Sequence, residues 1–300
     1  MLPREGFITT DDGVRLFFQK LGNSPNAVII PNAVHMFDSF KGLADDRTVI
    51  FFDLRSRGRS DAVSDDSKLA RGIHQDVDDL EAVRRHFGID RVDVLGHSYQ
   101  GLGIVLYALK YPSHVNRLVQ IGAMQPHAAT QYPAHLTNAD ATLAEFHAKL
   151  AQLQQEGGSG DLQEPGKKFW AAMRMLMVAN PADAGKIQWT PPYEYPNELS
   201  FMKHWTQNVL PSIQALTFTP QELAKMKAPL LAVHGTKDRQ APYGGGREWV
   251  SLLPDARLLT VENSAHVPWI EAPELVFGAI RTFLDGRWPE AAKAVLRETQ

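Results

Sequence analysis

Short apolar runs alternating with amphipathic stretches set the rhythm of this chain. Residues 7–10 and 14–20 flank Asp11-Asp12-Gly13 and predict an antiparallel hairpin closed by an Asp-Gly turn. Further apolar runs at 27–30, 48–52, 92–95, 118–121, 230–233 and 257–261 suit strands buried on both faces. Ile73, Val77, Leu80, Val83 and Phe87 recur at spacings of three and four, an amphipathic helical stripe ended by Gly88. Residues 102–109 read as a more uniformly apolar helix, as expected directly behind a central strand. Trp249, Leu252 and Leu253, then residues 275–284, supply two late helices. Strands alternating with helices after an initial hairpin predict an α/β fold, a mostly parallel sheet with helices on both faces.

Between about Met124 and Met226 that rhythm breaks. Helical patterns at 141–155, 167–178 and 199–210 surround a glycine-rich joint at 157–160 and a proline cluster at Pro191, Pro192 and Pro196. Trp170, Met173, Met175, Met177, Trp189, Tyr193, Tyr195, Met202 and Trp205 enrich the same interval. The expectation is a core formed by 1–123 and 227–300, with 124–226 inserted as a helical cap.

Composition narrows the classes. Over 300 residues, 44% are apolar and 22% charged, and the net charge is −3, so there is no electrostatic case for nucleic acid or an anionic membrane. No run of about 18 apolar residues occurs and the first residues lack a signal-peptide core, so a cytoplasmic protein without membrane partners is expected. The chain has no cysteine, which excludes thiolate nucleophiles and cysteine-held metals. No histidine pair has metal-ligand spacing on one helix, so neither metal nor cofactor is expected. Arg55, Arg57 and Arg59, flanked by Asp53 and Asp61, read as a solvated, networked loop. Oligomeric state is not legible.

Candidate chemistry centres on Gly96-His97-Ser98-Tyr99-Gln100-Gly101, which follows an apolar strand and opens a helix. A serine on such an elbow is strained and exposed, and the first helical amides can stabilise an oxyanion. A serine needs a base and an orienting acid. Asp238 follows the apolar run that ends in His234-Gly235, and His266 lies on the loop after the next strand. Catalytic groups gather beyond the C-terminal ends of parallel strands, and the order Ser98, Asp238, His266 matches the triad on this kind of scaffold. His97 is expected beside the elbow and His234 at a strand end, with His74, His86, His114 and His147 on surfaces or helix faces.

On these residues the chain resembles the α/β-hydrolase superfamily, within its capped esterases and proline-iminopeptidase-like enzymes. Phe52-Asp53-Leu54-Arg55-Ser56-Arg57-Gly58-Arg59-Ser60-Asp61, Lys110-Tyr111-Pro112, His266-Val267-Pro268 and Glu271-Ala272-Pro273-Glu274 complete the likeness. The resemblance implies the α/β-hydrolase fold and an oxyanion hole made by the Ala33 and Tyr99 amides. Two positions depart from it. Pro31-Asn32-Ala33 replaces the usual His-Gly pair, and Gln100 stands where a small residue is normal.

A narrower similarity, to serine-dependent macrolide esterases, rests on the Asn32 loop, Arg55-Ser56-Arg57-Gly58, Lys203-His204-Trp205, the stretch Tyr243-Gly244-Gly245-Gly246-Arg247-Glu248-Trp249, and Asp285-Gly286-Arg287-Trp288-Pro289. It implies a macrolactone substrate held by Asn32, Trp170 and Met173. A general carboxylesterase, a proline-releasing aminopeptidase, other users of the same triad, and a small-molecule receptor with a vestigial site remain alternatives. Epoxide hydrolases and haloalkane dehalogenases place Asp where Ser98 stands.

Overall fold

The computed structural model describes residues 2–138, 140–155 and 163–295; the 157–160 joint lies outside them. The hairpin forms as β1 (Arg4–Thr9) and β2 (Arg15–Leu21), turned at Gly13 with a φ of 82°. There follow β3 (Ala27–Pro31), α1 (Ala33–Phe40), β4 (Thr48–Phe52), α2 (Ile73–His86), β5 (Val92–His97), α3 (Tyr99–Lys110) and β6 (Val115–Ile121). Between β6 and β7 (Leu230–Gly235) lie α4 (Ala141–Gln155), α5 (Gln163–Met177), α6 (Glu198–His204), α7 (Leu210–Gln214) and α8 (Pro220–Leu223). The chain closes with α9 (Tyr243–Leu252), β8 (Ala256–Val261), α10 (Pro268–Glu271) and α11 (Pro273–Leu284).

The strands form one eight-stranded sheet in the order β1-β2-β4-β3-β5-β6-β7-β8. Only β2 runs against its neighbours; β4, β3 and β5 through β8 are parallel. Alternation along the strands divides the core into two layers, because successive side chains leave opposite faces. Ile29, Ile50, Val94, Leu118 and Leu230 pack with the apolar stripe of α2 and with α3 and α9. Val28, Ile30, Phe51, Leu95, Val119 and Leu231 pack with α1 and α11. Each fully buried side chain of the α2 stripe contributes about 1.5–3 kcal/mol relative to exposure.

The segment between β6 and β7 feeds both layers. Phe201, Val209 and Ile213 join the first, and Trp170, Met177 and Trp189 the second. Helix α6 continues through a π-helical turn at Trp205–Val209 into α7, so the pattern expected at 199–210 is a helix with a wide turn inside it. Among the described residues, no helix is long and apolar enough to cross a membrane.

The arginine loop after β4 corrects its sequence reading. Arg55 is fully buried, bonded through Nε and Nη2 to Asp79 and through Nη1 to Asp12. Arg57 is buried against Glu198, and Arg59 pairs with Asp53. The network exists, but inside the protein. Buried guanidinium is tolerated because its donors meet carboxylates supplied by distant segments.

Candidate active site

Strand order reverses between β3 and β5, and in parallel sheets a crevice opens at such a switch point. Ser98 stands there as the residue between β5 and α3, with φ 57° and ψ −127°, a strained backbone for any residue with a Cβ. Its amide donates to the Ile121 carbonyl at 3.0 Å and its carbonyl accepts from Gly101 and Met124. The elbow is thereby pinned on both sides, while Ser98 itself stays half-exposed.

Asp238 and His266 come from the ends of the two strands beyond β6. His266 Nδ1 lies 2.8 Å from Asp238 Oδ2, with both residues at most 2% exposed. Asp238 Oδ1 accepts from the amides of Gln240 (2.8 Å) and Ala241 (2.9 Å). Burial pushes this carboxyl up, but the facing His266 and His234 outweigh it and hold Asp238 well below the usual carboxylate range. An ionised Asp238 fixes Nδ1–H on His266 and leaves Nε2 as the basic nitrogen. Gly122, at the end of β6 with φ 49°, lies directly under the pair. A Cβ there would meet His266 Nδ1 at 3.1 Å and Asp238 Oδ2 at 3.2 Å.

Two histidines with no assigned chemistry brace this arrangement. His97 Nε2 donates to the His266 carbonyl at 3.0 Å, and the two rings lie 4.5 Å apart. Burial, and then the neighbouring His266, lower the His97 pKa to about 3, so it stays neutral. His234 Nε2 donates to the Ala241 carbonyl at 2.9 Å and approaches Asp238 Oδ2 at 3.5 Å, tying down the loop that carries the acid. His97 falls beside the elbow and His234 at a strand end, as their sequence contexts suggest.

Ala33 and Tyr99 are the first residues of α1 and α3, where amides have no partner inside the helix. Ala33 lies just beyond β3 and Ser98 just beyond β5, two strands paired in parallel at Ile29↔Val94. Asn32 lies just before, in a left-handed conformation, with its Oδ1 accepting from Arg57 Nη1 at 3.1 Å. Gln100 fits without opening the helix–strand contact. Its Nε2 donates to buried Asp76 at 2.9 Å, while the close approach to β6 falls on Gly101, whose added Cβ would meet that of Ala123 at 2.6 Å. Trp170 is 7% exposed, stacked on His35 at 5.9 Å and tilted against Trp189 at 6.1 Å. Met173 packs half-buried on the same layer. Both pack in the layer beside His35, and neither is bonded to the elbow.

A family model for the alpha/beta hydrolase fold matches residues 30–273. The chain belongs to that family. Sequence relatives of this α/β-hydrolase include a proline iminopeptidase from Heyndrickxia coagulans, 27% identical across 94% of this chain and 98% of that one. Another proline iminopeptidase, from Pestalotiopsis fici, is 26% identical over 83% of this chain and 85% of its own. Among solved structures, a serine hydrolase from Cycloclasticus zankles superposes with a TM-score of 0.71 at 15% identity, covering 95% of this chain and 98% of that one. An esterase from Thermogutta terrifontis gives 0.66 at 18% identity, covering 94% and 98%. At those identities the likeness is one of fold.

Sequence reasoning missed Arg57, Glu198, His35, Gly122 and the bracing role of His234 in this α/β-hydrolase. Gly122 and His234 did carry a signal, each standing where an apolar strand ends. Arg57 stood in the arginine loop the sequence singled out, but its pairing with Glu198 left no signal, because 141 positions separate the two.

Proposed function

We propose that the protein is a serine hydrolase that cleaves a carboxylic ester through an acyl-enzyme on Ser98. The observation that carries this reading is the buried His266–Asp238 pair at the rim where the strained elbow presents Ser98. In the first step Ser98 Oγ bonds to the ester carbonyl carbon, its proton passes to His266 Nε2, and the carbonyl electron pair moves onto oxygen. The Ala33 and Tyr99 amides donate to that oxyanion. Collapse restores the carbonyl and breaks the bond to the alkoxy oxygen, which takes the proton from His266. Water then repeats the sequence on the acyl-enzyme and frees the acid.

The finer form of the proposal is a large lactone of the macrolide kind. It is supported by the similarity of the Asn32 loop and late segments to macrolide esterases, and by the apolar layer that His35, Trp170 and Trp189 build beside that loop. A second reading, release of an amino-terminal proline, has the names of the sequence relatives behind it. Against it stands Glu198: Arg57 already engages both its oxygens, at 3.0 and 3.2 Å, and its charge offsets the pull on a substrate ammonium group.

The test is pre-steady-state hydrolysis of a p-nitrophenyl acyl ester, followed by prolyl p-nitroanilide and a macrolide. The expected result is a nitrophenol burst lost in Ser98→Ala, no anilide cleavage, and a macrolide product heavier by one water. Anilide cleavage without ester turnover would select the aminopeptidase instead. An intact macrolide beside good ester turnover would leave a general esterase, and a burst surviving in Ser98→Ala would end the whole reading.

A further inference from the structure

We propose that the side-chain amide of Asn32 is a third oxyanion donor, aimed by a chain of contacts running from Glu198 through Arg57 to Asn32 Oδ1. The inference rests on the serine-hydrolase reading and adds to it a catalytic group and two positioning residues.

An asparagine directly before a helix normally turns its side-chain oxygen onto the first free amides of that helix. Asn32 occupies that position before α1 and makes no such bond. Its Oδ1 is instead held by Arg57 Nη1 at 3.1 Å. Arg57 has little freedom of its own. Its Nε and Nη2 donate to the two Glu198 oxygens, Nη2 also lies 3.3 Å from His35 Nε2, and the guanidinium rests 4.1 Å from the Phe201 ring centre. The side chain of Arg57 is 6% exposed and that of Glu198 15%, so water offers the pair little competition.

With the oxygen of a planar amide fixed, its NH₂ must point the other way. Among the described residues, Asn32 Nδ2 has no hydrogen-bond partner, although Asn32 as a whole is only 7% exposed. Nor is that nitrogen among the polar atoms sealed inside the protein. Asn32 directly follows β3 and His97 ends β5, the strand that leads into the elbow, and these two strands are parallel neighbours paired at Ile29↔Val94. Asn32 and Ser98 both have positive φ, 68° and 57°, at the ends of these neighbouring strands. Non-glycine residues held so are concentrated where function over-determines the backbone. An amide N–H suits the task, because it donates to a developing oxyanion without acquiring or losing charge.

The experiment compares Asn32→Gly, Asn32→Asp, Arg57→Lys and Glu198→Gln with the wild type on one p-nitrophenyl ester. Glycine keeps the left-handed backbone and deletes the amide. Asn32→Gly is expected to lose about 10²–10³-fold in kcat with KM within about threefold, the loss usual for one oxyanion donor. Asn32→Asp, which keeps the shape and removes the donor, is expected to fall at least as far. Arg57→Lys and Glu198→Gln are expected to fall between these and the wild type.

The Ki of a trifluoromethyl ketone, whose adduct carries the oxyanion, is expected to rise in step with the loss of kcat/KM. The Ki of the product alcohol is expected to stay put. Wild-type kcat in Asn32→Gly, or a loss matched by a fallen Tm and an unchanged ketone Ki, would overturn the proposal while the hydrolase reading stood. Failure of the wild type itself to turn over esters or to take a fluorophosphonate on Ser98 would strike the hydrolase reading, and this proposal with it.

Discussion

Asp76 shows what burial does to a single side chain in this protein. It is 4% exposed, accepts from Gln100 Nε2 at 2.9 Å, and faces neighbouring Asp79. Desolvation, and then the Asp79 charge, push its pKa up to about 7. A raised folded-state pKa means that the stability this group contributes is fully present below the unfolded carboxyl value near 3.9 and is lost as pH rises through about 7. Asn cannot ionise and keeps an acceptor for Gln100. Asp76→Asn is therefore expected to match the wild type in Tm at pH 4 and to exceed it by a few degrees at pH 8, read by thermal melts. An equal offset at both pH values would rule out titration as the cause.

That Ser98, Asp238 and His266 lie on the loops or turns after strands was legible residue by residue, because each comes after an apolar run. Arg55 and Arg57 were misread as solvated because a sequence shows a charge but not the carboxylate that folding brings to it.

At the scale of elements, periodicity carried most of the prediction. The strands emerged from apolar runs, and α2, α3, α9 and α11 from their stripes. Helix α1 was not foreseen: it is eight residues long and starts from a left-handed Asn32 whose side chain makes no capping bond. Helix α2 shows another limit. Its own flanking residue, Gly72, offers no capping side chain, and the Ile73 amide instead donates to Ser212 Oγ of α7 at 2.9 Å. A cap supplied from 139 positions away leaves no local trace.

The contact between α3 and β6 belongs to this scale as well. Gly101→Ala would place a methyl 2.6 Å from Ala123 Cβ and 3.2 Å from its Cα, wedging α3 off the segment that follows β6. Overpacking of this kind costs about 1–3 kcal/mol. Urea unfolding is expected to show a lower midpoint with an unchanged slope, and an unshifted midpoint would mean that the helix has room to move.

Across the whole molecule, the segment between β6 and β7 is fastened to the two loops that carry Asp238 and His266. Arg239, next to Asp238, binds Asp140 and the carbonyls of Val178 and Ala179. The Val267 amide, next to His266, donates to the Met177 carbonyl at 3.2 Å. Glu271 accepts at 2.7 Å from each of Ser264 Oγ, Ala265 N and Ala179 N. The end of α5 is thus tied to both partners of Ser98. Removing the Glu271 carboxylate leaves two backbone donors without their partner, at about 1–3 kcal/mol for each that stays buried. Glu271→Ala is expected to lower Tm by several degrees and kcat by about tenfold or more, with Glu271→Gln recovering part of both. A full loss of stability with kcat unchanged in the folded fraction would show that the clamp does not reach His266.

The sequence by itself determined the alternation of strands and helices, the elbow serine and the chain order of the three groups, because periodicity, turns and the strand-end position are local properties of a chain. Tertiary structure alone decided that Arg57 meets Glu198 behind Asn32, and that Gly122 lies under Asp238 and His266. Those outcomes depend on which charges and rings folding brings together across more than a hundred residues, and no local pattern encodes that distance.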